Sequence, residues 1–185
     1  FMLHVPEAKL FSELCGSFTL LDELVGPYSI KDYQDGRYVR VTENMLPEAD
    51  VAFLDEVLKC NDGTVLSLLK ILNERKFQNQ KIALHCVAAA TNWPELRSRS
   101  EKVEALYDRF LLRLHVEPCR GSEHTSMLRA ADGVKSFRPS VTLTLNEFRA
   151  AKRAIAEVEI DESTDSQITD TVTALAGRKV EISNR

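Results

Sequence analysis

The sequence has no long apolar run and no start typical of a secretory signal. None of its apolar stretches approaches the ~18 residues that a membrane-spanning helix needs. Residues 1–6 lack both the basic start and the long apolar stretch of a signal peptide. We therefore expect no membrane partner and a cytoplasmic location.

The sequence also lacks cysteines at the spacing of a metal site. Its four cysteines are scattered without a C-x-x-C motif, and its four histidines are equally dispersed. That distribution predicts neither a zinc site nor a disulfide framework, and it favours a reducing compartment. Cys86 lies in an apolar run, where we expect a buried free thiol.

Nor does the chain have an excess of basic residues. The chain has 24 Lys and Arg residues and 28 Asp and Glu residues. The resulting net charge of −4 argues against general attraction to nucleic acid. Hydrophobic residues make up 44% and charged residues 28% of the 185 residues. These values are typical of a globular chain with one core domain, or a core plus a small appendage.

What the sequence does have is a short apolar run, residues 51–54, that ends in the adjacent carboxylates Asp55 and Glu56. The run predicts a buried parallel strand, which would deliver both side chains to the carboxyl edge of a sheet. There Asp55 would hold Mg²⁺ through its water shell, and Glu56 would orient or deprotonate an attacking water. Many buried strands end in an acidic pair, so an ordinary strand explains these six residues equally well.

Two later segments point to the same chemistry. A second apolar run, residues 82–90, precedes Asn92, and an Asn at the tip of a neighbouring strand would lie beside Glu56. Arg109 follows at the end of a predicted helix and is followed by the apolar residues 111–114, which predict a further strand. An arginine in that position can reach a phosphate across a subunit boundary.

Seven sequence blocks occur in a fixed order: LVGPYSI at residues 24–30, GRY at 36–38, LPEAD at 46–50, FLDE at 53–56, ILNER at 71–75, AATN at 89–92 and LYDRF at 106–110. Together they resemble the MoxR group of the AAA+ ATPases and its RavA-type branch, within the helix-2 insert clade. The resemblance runs from about Phe11 to Leu128, and more faintly to Arg185.

The resemblance implies an α/β fold of the P-loop NTPase (AAA+) type, a three-layer core on a parallel sheet followed by the start of a small helical lid domain. We assign residues 1–116 to the core, with an insert hairpin at about 28–46. We assign residues 117–140 to a linker and residues 141–185 to the beginning of the lid. Within the core, apolar residues at helical spacing predict a helix over 62–74, with Asp62 or Thr64 as its N-cap.

The resemblance also implies roles for single residues. Asp55 and Glu56 would be the Walker B carboxylates, Asn92 sensor 1 and Arg109 an arginine finger, with ATP and Mg²⁺ as cofactors. The last four residues resemble the sensor 2 turn, which makes Arg185 a candidate ligand of the nucleotide phosphates. A basic residue in a frayed tail is the alternative reading of Arg185.

One motif of that family is missing. Residues 1–185 contain no G-x-x-x-x-G-K-(S/T) sequence, the P-loop whose backbone N–H groups and Lys hold the phosphates. Residues 1–6 resemble the strand before this loop, and residues from Glu7 onward resemble the segment after its helix. Either the chain lacks the loop, or a segment between Pro6 and Glu7 has been left out of the sequence. We favour the second, because parallel neighbours need a crossover of about a dozen residues.

These expectations combine into one function. The chain would belong to a homo-oligomeric, hexameric ring that hydrolyses ATP with Mg²⁺ at its subunit interfaces. Hydrolysis would drive chaperone-like remodelling or maturation of a protein complex, with a protein client or a von Willebrand-type partner. Two alternatives stay open: a non-hydrolysing AAA+ scaffold or adaptor without a P-loop, and a DNA-translocating motor of the same clade.

Overall fold

The computed structural model describes residues 4–92, 101–121, 123–136 and 138–177. The contacts between residues divide the chain into two compact units, Phe1–Thr142 and Leu143–Arg185. The first unit contains a parallel sheet and the second contains two helices. The assignment of core, linker and lid to residues 1–116, 117–140 and 141–185 stays a prediction.

A three-stranded parallel sheet forms the centre of the first unit. Its strands are β1 (Leu10–Leu14), β2 (Val51–Asp55) and β5 (Cys86–Ala89), in the spatial order β1-β2-β5. Val51 pairs with Leu10 on one side and with Cys86 on the other, so all three strands start at the same level. The carboxyl ends of the strands therefore meet at one edge. Two short strands, β3 (Lys76–Phe77) and β4 (Gln80–Lys81), form a separate antiparallel pair.

The described part of the first unit contains five α-helices, three of which contribute residues to the core. They are α1 (Leu21–Val25), α2 (Ile30–Gln34), α3 (Asp62–Glu74), α4 (Glu101–Tyr107) and α5 (Glu123–Ser136), and the second unit contains α6 (Leu145–Ala156) and α7 (Glu162–Gly177). Short 3-10 helices span Leu46–Glu48 and Val57–Lys59. The core joins inward residues of the sheet to those of α1, α3 and α4: Phe11, Ala52, Leu54, Leu24, Leu68 and Leu106. None of the helices among the described residues has the length and apolarity needed to cross a membrane.

The helix predicted over 62–74 is confirmed as α3, and Val65 and Leu68 are buried on its inner face. Its N-cap differs from the prediction. Asn61 accepts a hydrogen bond from the Thr64 backbone N–H at 3.0 Å, so the capping residue lies one position before Asp62. Asn is as good an N-cap as Asp, so a cap at Asn61 leaves the start of the helix at Asp62 as predicted.

Leu68→Ala is expected to lower the free energy of unfolding by about 2–5 kcal/mol, because Leu68 is fully buried and the substitution leaves a cavity. Leu66 lies on the same helix with 51% of its surface exposed, so Leu66→Ala is the matched control. We expect the control to cost roughly 0.5 kcal/mol or less. Urea unfolding of both variants measures the difference. Equal costs would show that α3 does not bury the face described here.

The insert at residues 28–46 contains a helix that the predicted hairpin did not include. One antiparallel bridge, between Tyr28 and Arg40, closes its base, and helix α2 spans Ile30–Gln34 within it. The cause is local, since the Ser29 hydroxyl accepts the Asp32 backbone N–H at 3.3 Å and caps the helix. Arg40 fixes the base: it donates to Asp22 and to the Gly26 carbonyl and lies 4.0 Å from the centre of the Tyr28 ring.

Two further expectations about strands are contradicted. Residues 4–8 form turns and bends, and the Ala8 N–H donates to the Val5 carbonyl at 3.1 Å, which closes a turn with Pro6 at its second position. Residues 1–3 of the expected strand lie outside the described residues, and a segment between Pro6 and Glu7 stays a prediction. Residues 111–114 also form no strand, and Leu111 and Leu114 are 93% and 90% exposed. An apolar run becomes a strand only where a neighbour accepts its backbone hydrogen bonds.

Candidate active site

The paired carboxylates lie where the sequence places them, at the carboxyl end of the central strand. Asp55 is the last residue of β2, and its Oδ1 accepts the backbone N–H of Glu56 at 3.0 Å. Glu56 leaves the strand in the left-handed region, at φ 52°. A residue with a side chain pays a conformational cost there, and such strain is typical of functional sites. The turn changes the direction of the chain just after the strand and so sets where the Glu56 carboxylate points.

Asn92 reaches Glu56 from the neighbouring strand, as predicted. The Ala90 N–H donates to the Leu54 carbonyl at 3.0 Å, and the Val57 N–H donates to the Ala90 carbonyl at 3.2 Å. These two bonds continue the pairing of β2 and β5 past the last residues of both strands. As a result Asn92 Nδ2 donates to Glu56 Oε1 at 2.5 Å.

The two oxygens of the Glu56 carboxylate have different surroundings. Oε1 accepts from Asn92 and also lies 3.3 Å from Lys59 Nζ. Oε2 is buried and has no hydrogen-bond partner among the described residues, and the same is true of Thr91 Oγ1. Buried oxygens without partners are costly unless water or a ligand satisfies them. Oε2 is therefore the carboxylate oxygen of Glu56 that still needs a partner, which a water bound at the site would supply.

Sequence reasoning missed Lys59 and Thr91. Lys59 lies three residues after Glu56 in the 3-10 helix Val57–Lys59, where positions i and i+3 lie on the same side. The sequence does contain a signal for this contact, because Glu56 is followed by a lysine at position i+3. Thr91 directly precedes Asn92. A single hydroxyl group carries no sequence signal, so Thr91 can be recognised as a site residue only once the positions of the strand ends are known.

Arg109 lies just beyond helix α4, and its guanidinium bends back towards the helix. Its Nη1 donates to the Ala105 carbonyl at 2.9 Å, while its Nε is buried without a hydrogen-bond partner in the described part of the chain. The structure does not bring Arg109 to Glu56 or Asn92. A finger that acts on a neighbouring subunit would not lie at its own site, so this role of Arg109 stays a prediction.

Arg113, the second arginine after α4, is held within its own segment. It donates to the Phe110 carbonyl at 3.0 Å, lies 3.4 Å from Asp108 Oδ1 and stacks 4.6 Å from the centre of the Tyr107 ring. These contacts occupy its guanidinium and leave Arg109 as the better candidate. Arg185 lies outside the described residues, and its predicted role as sensor 2 stays a prediction.

The residues present fit a hydrated Mg²⁺ better than a metal held by protein ligands alone. No group of three or more His, Cys, Asp or Glu side chains gathers at one point in the described ranges. Mg²⁺ commonly keeps several waters and binds through one or two carboxylates together with substrate phosphates. Asp55 supplies such a carboxylate at the sheet edge, since one of its oxygens accepts the Glu56 N–H and the carboxylate has a second oxygen.

Comparison with known proteins gives the fold and the family. Two uncharacterised proteins of Methanocaldococcus jannaschii, MJ0079 and MJ0812, are each 37% identical to this chain, over 183 and 166 residues. The alignments cover 96% and 87% of this chain but 47% and 43% of the relatives, so the chain spans less than half of their length. A solved structure of a candidate ATPase from Cytophaga hutchinsonii superposes with a TM-score of 0.68, covering 97% of this chain and 56% of that one.

The structural match has 17% sequence identity and therefore bears on the fold. It confirms the predicted α/β fold of the P-loop NTPase (AAA+) type, and the MoxR-type part of the sequence resemblance is confirmed as well. The RavA-type branch stays a prediction. A family model described as the MoxR domain in the MoxR-vWA-beta-propeller ternary systems matches residues 2–165. The chain belongs to this MoxR domain family.

Proposed function

We propose that this chain supplies the metal- and water-binding half of a site for Mg²⁺-dependent ATP hydrolysis. The observation that carries the proposal is the hydrogen bond from Asn92 to Glu56 at the common edge of two parallel strands, at 2.5 Å. A carboxylate fixed by a neutral amide, with its second oxygen unpartnered, is suited to orient and deprotonate a water. The membership in a MoxR family and the ATPase-like fold support the same function.

Each residue then has one task. Asp55 would hold Mg²⁺ through water, and the bound metal would supply positive charge for the phosphates of ATP. Glu56 accepts the proton of the attacking water at Oε2, while Asn92 and Lys59 hold Oε1 in place. Arg109 of the neighbouring subunit stabilises charge on the transferring phosphoryl group. Because the finger comes from the neighbour, a closed head-to-tail ring, which we propose to be a hexamer, is needed for turnover.

This chain matches less than half of the length of its curated relatives. What ATP hydrolysis drives is therefore a property of the whole protein. We propose chaperone-like remodelling or maturation of a protein complex. The family description names vWA and beta-propeller components of the same systems, which supports a von Willebrand-type partner as the connection to the client. The membership of this chain in the RavA-type branch belongs to the same proposal.

A second candidate function, a non-hydrolysing AAA+ scaffold, is favoured by one observation. Residues 1–185 contain no P-loop sequence, and a closed turn at Val5–Ala8 occupies the position where the resemblance would place it. Without backbone N–H groups and a Lys on the phosphates, the affinity for nucleotide would be low. The same Glu56–Asn92 contact would then only join two strands.

Nucleotide binding by the natural polypeptide separates these two functions. A fluorescent ATP analogue is titrated with Mg²⁺ and again with EDTA, and phosphate release is followed in parallel. Mg²⁺-dependent binding together with phosphate release supports the ATPase. Absence of binding at millimolar analogue, from a polypeptide whose circular dichroism shows it folded, contradicts the ATPase and leaves the scaffold.

A further inference from the structure

A cysteine and a methionine are in direct sulfur–sulfur contact near the start of helix α5. Cys119 Sγ donates a weak hydrogen bond to Met127 Sδ at 3.7 Å. Cys119 is partly buried and Met127 is 49% exposed, so a small solute can reach both sulfurs. The hydrophobic core of the described residues includes neither of them, so packing in that core does not account for the contact.

Backbone contacts determine how the loop before α5 meets this helix. The Glu123 N–H donates to the Arg120 carbonyl at 3.1 Å, and the Arg120 N–H donates to Glu123 Oε2 at 2.9 Å. Gly121, at φ 53°, allows the tight turn between them. The loop therefore folds back onto the first turn of α5, which places Cys119 beside the face of the helix that bears Met127.

His124 adds an imidazole to the same face of α5. It lies three residues before Met127, and residues three apart on a helix are neighbours on its surface, with Cβ atoms about 5–6 Å apart. Its N–H donates to the Gly121 carbonyl at 3.3 Å, so His124 belongs to the turn onto which the loop folds. Helical methionine side chains point towards the N-terminus of their helix, here towards that turn. A thiol, a thioether and an imidazole thus lie around one end of α5.

The distance between the two sulfurs fits a shared metal ion. A thiolate sulfur lies about 2.3 Å from zinc, and two sulfurs at that distance from one ion, with a bond angle of about 110–120°, are roughly 3.8–4.0 Å apart. Cys119 and Met127 already have nearly this separation. A thioether is not among the usual zinc ligands, and structural zinc takes four ligands. Thiolate, thioether and imidazole together suit Cu(I).

We propose that Cys119, Met127 and His124 form a binding site for one Cu(I) ion. The ion replaces the proton of the Cys119 thiol, which is released to solvent, and binds the thiolate, the Met127 thioether and one ring nitrogen of His124. No electron is transferred and no other bond breaks. The proposal does not depend on ATP hydrolysis, because the number of bound ions and their affinity report on it directly.

The test uses the chain with Cys86→Ser, which removes the exposed cysteine that could also bind Cu(I). Cu(I) is added without oxygen, in competition with the coloured chelator bicinchoninate. We expect one Cu(I) per chain and, by X-ray absorption at the copper edge, two sulfur neighbours at about 2.3 Å. Adding Cys119→Ser should weaken binding by about 100-fold or more, since loss of even an outer-shell partner costs about 10–100-fold in metal affinity.

Met127→Leu separates the proposed site from a cysteine that binds copper alone. Leu keeps the volume of the side chain but removes the thioether, so we expect about tenfold weaker binding or more, with one sulfur neighbour instead of two. Met45→Leu makes the same change at a methionine that packs against the core, and it should bind like the parent.

Three results would overturn the proposal. Equal Cu(I) affinity of Met127→Leu and Met45→Leu would show that the thioether is not a ligand. Tight binding that persists after Cys119→Ser would place the ion elsewhere. A parent chain that is folded by circular dichroism and binds no Cu(I) against bicinchoninate would remove the site altogether.

Discussion

Glu56→Gln is expected to lower ATP turnover by about 10²–10⁴-fold while leaving nucleotide binding in place. Gln has the shape of Glu, and its side-chain oxygen can still accept the Asn92 amide, so the joined ends of β2 and β5 are kept. It cannot accept a proton from water, and it loses the ion pair with Lys59. Phosphate release and binding of an ATP analogue by the natural polypeptide measure the two properties separately.

The matched control is Glu117→Gln, the same chemical change at an exposed position after α4. It should leave turnover within roughly twofold, because surface substitutions away from the site change little. Turnover of the Glu56 variant equal to that of the control would remove Glu56 as the base. Loss of both binding and turnover would instead show that the carboxylate is needed for the structure of the strand ends.

The Glu56–Asn92 contact could be predicted because it follows from sheet geometry. An uninterrupted apolar run predicts β2, a second run predicts a neighbour, and parallel strands bring their carboxyl ends to one edge. The start of the second strand could not be predicted. The run begins at Ile82, but the strand begins at Cys86, because β2 is five residues long and Val51 is the first residue with which a partner can pair.

Other features depended on contacts that no local pattern shows. Ser29 caps helix α2 within the insert by accepting the Asp32 N–H, a contact that the predicted hairpin did not include. The loop after β1 docks on the start of α3, where Asn61 and Thr64 both donate to the Thr19 carbonyl. The separation of these residues in the sequence gives no sign of this contact. The apolar residues 111–114 show the opposite case, in which the pattern of a strand is present and no described strand pairs with it.

Arg109→Ala is expected to lower ATP turnover by about 10³–10⁵-fold, the range found where arginine fingers act on a transferring phosphoryl group. The reason is that the guanidinium would stabilise charge at the site of the next subunit, where no other described arginine is a comparable candidate. Arg113 is held by Asp108 and by the Tyr107 ring. Nucleotide binding and ring formation should persist, since the described hydrogen bond of Arg109 is to Ala105 in its own helix.

The decisive measurement is a mixture of Arg109→Ala and Glu56→Gln subunits, each nearly inactive alone. Where a subunit with intact Glu56 is followed by one with intact Arg109, a complete site is assembled, and turnover should recover to a sizeable fraction of the natural level. Arg120→Ala, an exposed arginine of the same region, should behave like the natural sequence throughout. Mixtures that stay inactive although mixed rings form would place Arg109 within its own subunit's site or outside catalysis. Recovery would show that two neighbouring subunits each contribute half of one site.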